Sequence, residues 1–70
     1  MEEIKLGALL KVIPMESRIE INDTNFEILV PLKRVDELLL ENDKEIMNLE
    51  VLSVNPTHNQ RENYIEIMVY

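Results

Sequence analysis

Few side chains in this sequence belong to the kinds that do chemistry. His58 is the one imidazole, Ser17 and Ser53 are the only serines, and there is no cysteine. Neither serine neighbours His58 in sequence or sits in a nucleophile-elbow context, which argues against acyl transfer. The single glycine, Gly7, lies inside an apolar helical pattern, so no glycine loop is available to cradle a phosphate. Without cysteine there is no disulfide framework, no thiolate zinc site and no thiol nucleophile. Asp36, Glu37, Glu41, Asp43 and Glu45 gather around one segment, and Asp23, Asn25 and Glu27 around another. Neither group has the spacing or the glycine of a calcium loop, so solvated acidic surface is the expectation for both. A glycosidase-type carboxylate pair would find little room for a cleft in so short a chain. No enzyme, metal or other cofactor is therefore expected.

What remains is binding chemistry. The polar stretch from Thr57 to Asn63 offers donors to a polar ligand, with Thr57, His58, Asn59, Arg61 and the adjoining Tyr64 as candidate contacts. Lys33-Arg34, the only adjacent basic pair, opens a helical pattern, where the dipole disfavours cations. The plain expectation is a surface pair; a use beyond that would be to hold a neighbouring carboxylate or to meet an anionic ligand at the helix N-terminus.

These candidates must be carried by elements legible from periodicity. Leu6, Leu9, Leu10 and Ile13 recur at helical spacing between Glu2 and Ile13, and Pro14 ends the pattern; Gly7 is expected to mark a close helix–sheet contact. Arg18–Asn22 and Phe26–Val30 alternate as strands around an Asp23-Thr24-Asn25 turn. Pairing Asn22 with Asn25 sets Ile21 against Phe26 and Ile19 against Ile28, one apolar face in common. Pro31 ends the second strand or places it on an edge. A helix follows over Lys33–Glu41, burying Val35, Leu38 and Leu39 with Leu40 on the flank. Strands follow over Asn48–Val54 and Tyr64–Tyr70. The fold expected is a single α+β domain over residues 1–70, of order α-β-β-α-β-β. Two short helices cover one face of an antiparallel four-stranded sheet.

Composition bounds the rest. Seventy residues, 46 % apolar, make one small globular domain, and the three aromatics leave the core to aliphatic side chains. Acids outnumber bases 14 to 7 for a net charge of −7, which argues against direct nucleic-acid binding. No apolar run approaches the ~20 residues of a membrane span, and Met1-Glu2-Glu3 lacks the basic flank of a signal peptide, so a cytoplasmic protein without membrane contact is expected. A core of this size rarely supplies more than ~3–5 kcal/mol. The helix-free face of the sheet nevertheless collects Leu29, Leu52, Val54, Tyr64, Met68 and Tyr70, more apolar surface than a solvated face needs. A homo-oligomer formed through that face is expected.

The run Leu9-Leu10-Lys11-Val12-Ile13-Pro14, the hairpin Ile19-Glu20-Ile21-Asn22-Asp23, and the tail Val51-Leu52-Ser53-Val54-Asn55-Pro56-Thr57 with Tyr64-Ile65-Glu66-Ile67 form a pattern over most of the chain. That pattern resembles small orphan proteins of phages, prophages and other mobile elements of Gram-positive bacteria. Members of that group usually carry a glycine after the first strand, where this chain has Thr24-Asn25. The resemblance implies a setting in the host bacterial cytoplasm and a non-catalytic, stoichiometric binder, such as a counter-defence factor. Its partner would be a host protein or a small nucleotide signal. No functional residue is transferred by it. The alternative is an acidic nucleic-acid mimic whose carboxylates occupy the basic groove of a host DNA- or RNA-binding protein.

Overall fold

A computed structural model describes residues 3–70. Its elements are α1 (Leu6–Leu10), β1 (Arg18–Asn22), β2 (Ile28–Arg34), α2 (Val35–Glu41), α3 (Lys44–Met47), β3 (Val51–His58) and β4 (Asn63–Val69). The α+β class and the four strands are as expected. The sheet, however, is mixed: its order is β2-β1-β4-β3, with antiparallel hairpins on each side and β1 parallel to β4 at the centre.

Two physical facts account for this arrangement. A proline within a strand lacks a ladder donor and confines that strand to an edge. Pro31 lies in β2 and Pro56 in β3, and these are the two edge strands. The proline-free strands β1 and β4 take the centre. The direction follows from the crossover. Parallel strands need a connection of about a dozen or more residues, and residues 35–50, with α2 and α3, carry the chain back along the sheet. β3 therefore runs with β2, and β4 with β1. The expected all-antiparallel sheet treated this connection as a simple link between hairpins, which it is not.

The first hairpin departs from the expected register. Asn22 pairs with Ile28, Ile21 with Val30 and Ile19 with Lys33. The cause is Asp23, whose carboxylate accepts from the amides of Asn25 (2.8 Å) and Glu27 (3.0 Å) and builds a longer loop. The slip turns Ile28 out to the face of Asn22, and Phe26 falls in the loop, 75 % exposed with φ at 63°. A left-handed backbone is costly for a bulky side chain, whereas asparagine tolerates it. Phe26→Asn is expected to raise stability by about 0.5–1 kcal/mol in urea unfolding.

Other boundaries also move. The first helix is the single turn α1, shorter than the expected span, of which Glu2 lies outside the described residues. Lys33-Arg34 belongs to the end of β2, the chain from Asn48 to Glu50 precedes β3, and β3 runs on through Pro56 to His58. The polar loop thereby shrinks to residues 59–62. A third helix, α3, is capped by the Asp43 side chain, which accepts from the amides of Glu45 (3.1 Å) and Ile46 (3.3 Å). Gly7 packs against this helix and not the sheet: a Cβ there would lie 3.3 Å from the Cβ and the carbonyl oxygen of Met47.

All three helices cover one side of the sheet. Leu6 and Leu10 of α1, and Val35 and Leu38 of α2, bury against Ile19 and Ile21 of β1, Val30 of β2, and Ile67 and Val69 of β4. α1 is tied down by backbone bonds from Leu6 N to Leu49 O (2.9 Å) and from Val51 N to Ile4 O (2.8 Å).

Candidate functional site

The helix-free face carries the side chains left over by this core. Because Ile19 is level with Ile65 in the parallel pair, Arg18 lies beside Tyr64; Tyr64 pairs in turn with Thr57, and Arg18 with Arg34. One row across the end of the sheet thus reads Arg34, Arg18, Tyr64, Thr57. The next reads Glu20, Glu66, Asn55, and the one after it Ile28, Asn22, Met68, Ser53.

At the first row the β3–β4 hairpin and the entry to β1 enclose an open groove of about 510 Å³. Arg18, Ser17, Thr57, His58, Asn63 and Tyr64 line it, with Pro56 and Ile65 adding apolar wall. Its volume falls in the ~300–1,000 Å³ range of small-molecule sites. Arg18 Nε donates to Glu62 Oε1 at 2.8 Å, and Arg34 Nη2 donates to Asp36 Oδ2 at 2.9 Å. Two guanidiniums side by side on adjacent strands repel, and each is held by a carboxylate of its own. The turn that carries Glu62 is built by Asn59, whose Oδ1 accepts from the amides of Arg61 (2.8 Å) and Glu62 (2.9 Å).

The candidate residues sort accordingly. Thr57, His58 and Tyr64 share the groove, and Arg34 stands one strand away from it beside Arg18. Asn59 and Arg61 form the turn above it, with the Asn59 carbonyl already engaged. Lys33 is elsewhere: it pairs with Ile19 on the helix side and reaches Glu41 Oε2 at 2.6 Å. Both members of the basic pair therefore hold neighbouring carboxylates. The first two amides of α2 are also taken, Val35 N by Ser17 O (3.0 Å) and Asp36 N by Met15 O (3.1 Å). Ser17 and Arg18 were not legible as site residues, because only the long-range pairing of β1 with β4 brings them to the hairpin. Asp43, one of the clustered acids, is occupied as the cap of α3. Among the described residues no group of three or more histidine and carboxylate side chains is arranged to hold a metal ion.

The apolar residues of this face also need one correction. β3 carries a bulge between Val51 and Ser53, so that Leu52 and Ser53 together stand across from Met68. The bulge moves Val54 opposite Ile67, onto the helix side at the sheet edge, and away from Leu52, Met68 and Tyr70 with which it was expected to group. No helix among the described residues is long and apolar enough to cross a membrane.

Compared with family models, with curated proteins and with solved structures, the chain matches none.

Proposed function

We propose that this chain is a non-enzymatic binding protein of mobile-element type, a counter-defence factor that acts by stoichiometric capture of a small nucleotide signal. The observation that supports this reading is the groove at the β3–β4 hairpin, lined by Tyr64 on a central strand with Arg18 and Thr57 on the strands to either side of it. An aromatic ring gives a base a surface to stack on, and a guanidinium meets phosphate oxygens in bidentate fashion. His58, Ser17 and Asn63 supply further polar contacts at the rim. Glu62 occupies Arg18 in the free protein, and a phosphate would take its place. Capture of a host protein at the same end of the sheet is the other form of this reading.

The acidic-mimic reading has less support. Asp36 and Glu41 of α2 are bridged by Arg34 and Lys33, and Asp43 caps α3, so the carboxylates of this segment do not form an unbroken anionic row.

Titration of linear and cyclic nucleotides by calorimetry tests the proposal. One-to-one binding is expected, with the ligand recovered unaltered. Arg18→Ala and Tyr64→Ala should each weaken it by roughly tenfold or more, the scale of a lost charge-assisted bond or stacking contact. A ligand recovered chemically changed would overturn the non-enzymatic reading, and equal affinity in both variants would overturn the site.

A further inference from the structure

The third row of the helix-free face is independent of the groove. It crosses all four strands as Ile28, Asn22, Met68, and the bulged pair Leu52-Ser53, with Tyr70 next along the β4 side. Ile28 is 58 % exposed, Leu52 48 % and Tyr70 76 %. In their midst Asn22 is 6 % exposed, and its Oδ1 is shut off from solvent with no hydrogen-bond donor. A buried amide oxygen without a partner costs about 1–3 kcal/mol, so its presence within an apolar row calls for a donor.

We propose that this row binds a second copy of the chain about a two-fold axis lying along the row, perpendicular to the strands. Such an axis sets every residue of the row against its own counterpart. Met68 meets Met68 of the partner subunit. A turn of each amide about χ2 brings Oδ1 out to the face, where in the dry seam the two Asn22 side chains exchange N–H···O bonds in place of water. Paired asparagines in an apolar seam fix register in this way.

Charge selects this axis over the others. Glu20 and Glu66 stand level on the central strands, and neither has an ion-pair partner among the described residues. An axis parallel to the strands would lay each of them over the other's counterpart and gather four carboxylates. The axis along the third row instead brings Glu66 over the phenol of Tyr70 from the partner subunit, an O–H donor for a carboxylate. Addition at the sheet edges is the competing mode of self-association. Pro31 on one edge and Pro56 on the other oppose it, each removing a ladder donor. The groove lies four residues along the strands from the axis, about 13 Å away.

Single cysteines read the geometry directly, because the native chain has none. Met68→Cys lies on the axis, whereas Leu40→Cys lies on the opposite layer, 86 % exposed. Light scattering of the unaltered protein at micromolar to near-millimolar concentration is expected to show twice the 8.3 kDa of one chain. Salt should strengthen the association, since it screens repulsion between two chains of −7 each. With a short bis-maleimide linker Met68→Cys should cross-link at least roughly tenfold faster than Leu40→Cys, because facing sheets pack about 10 Å apart, a gap that such a linker spans and a disulfide does not. A monomer mass throughout this range overturns the proposal. A dimer in which both cysteine variants cross-link equally slowly also overturns it, by assigning the contact to another face.

Discussion

Ile67→Ala is expected to leave the chain largely unfolded at room temperature. Ile67 is fully buried on β4, a central strand, between Ile21 of β1 and Val54 of β3, with the helix layer above. Truncation removes transfer free energy and opens a cavity that two hydrogen-bonded neighbours cannot close, for a cost of about 2–5 kcal/mol. A lone core of this size holds only ~3–5 kcal/mol, so the substitution takes most of it. Ile28→Ala is the matched control. Its side chain is more than half exposed, and under dilute, monomeric conditions it should unfold within about 0.5 kcal/mol of the unaltered chain. Urea titration followed by far-ultraviolet circular dichroism reads both. An Ile28→Ala variant as unstable as Ile67→Ala would show the two-residue turn, and not the Asp23-built loop, to be the true one.

Leu38→Asp should be at least as severe. Leu38 of α2 is 1 % exposed within the cluster of Val35, Leu10 and the sheet residues. A carboxylate there loses the apolar contacts and is too short to reach water, which leaves a charge buried without a partner. Such a change costs about 3–5 kcal/mol or more. Two positions on, Leu40→Asp should cost no more than about 0.5 kcal/mol, including the small dipole penalty for an anion in the last turn. Loss of amide dispersion in the proton–nitrogen spectrum of Leu38→Asp, and its retention in Leu40→Asp, is the expected result. A folded Leu38→Asp would mean that α2 does not dock by this face.

The candidate site was half legible. Thr57, His58 and Tyr64 stood out as a polar cluster beside an aromatic, and they do share one groove. Their cationic neighbour Arg18 is more than forty positions away from Tyr64 in sequence and carries no motif. Lys33 and Arg34 are adjacent in sequence, yet alternation along a strand sends neighbours to opposite faces. Arg34 therefore joins Arg18 while Lys33 turns to α2.

What the sequence by itself determined were the features decided by local chemistry. The alternation of Ile19 and Ile21, and of Ile65, Ile67 and Val69, committed two strands and chose their buried faces. The spacing of Val35 and Leu38 did the same for α2, and Pro31 either ended its strand or confined it to an edge. Pro56, by contrast, falls inside a strand only because β3 runs past the expected end at Val54. Only the tertiary structure decided strand direction, hairpin register and the side on which Val54 and Ile28 fall. Direction depends on whether α2 and α3 pack back along the sheet, a property of the assembled core. Register depends on one carboxylate, Asp23, choosing two amides, and the face of Val54 on one extra residue in a bulge. Because side chains alternate with a period of two, each such single-residue choice reverses a face, and propensities summed over a strand do not register it.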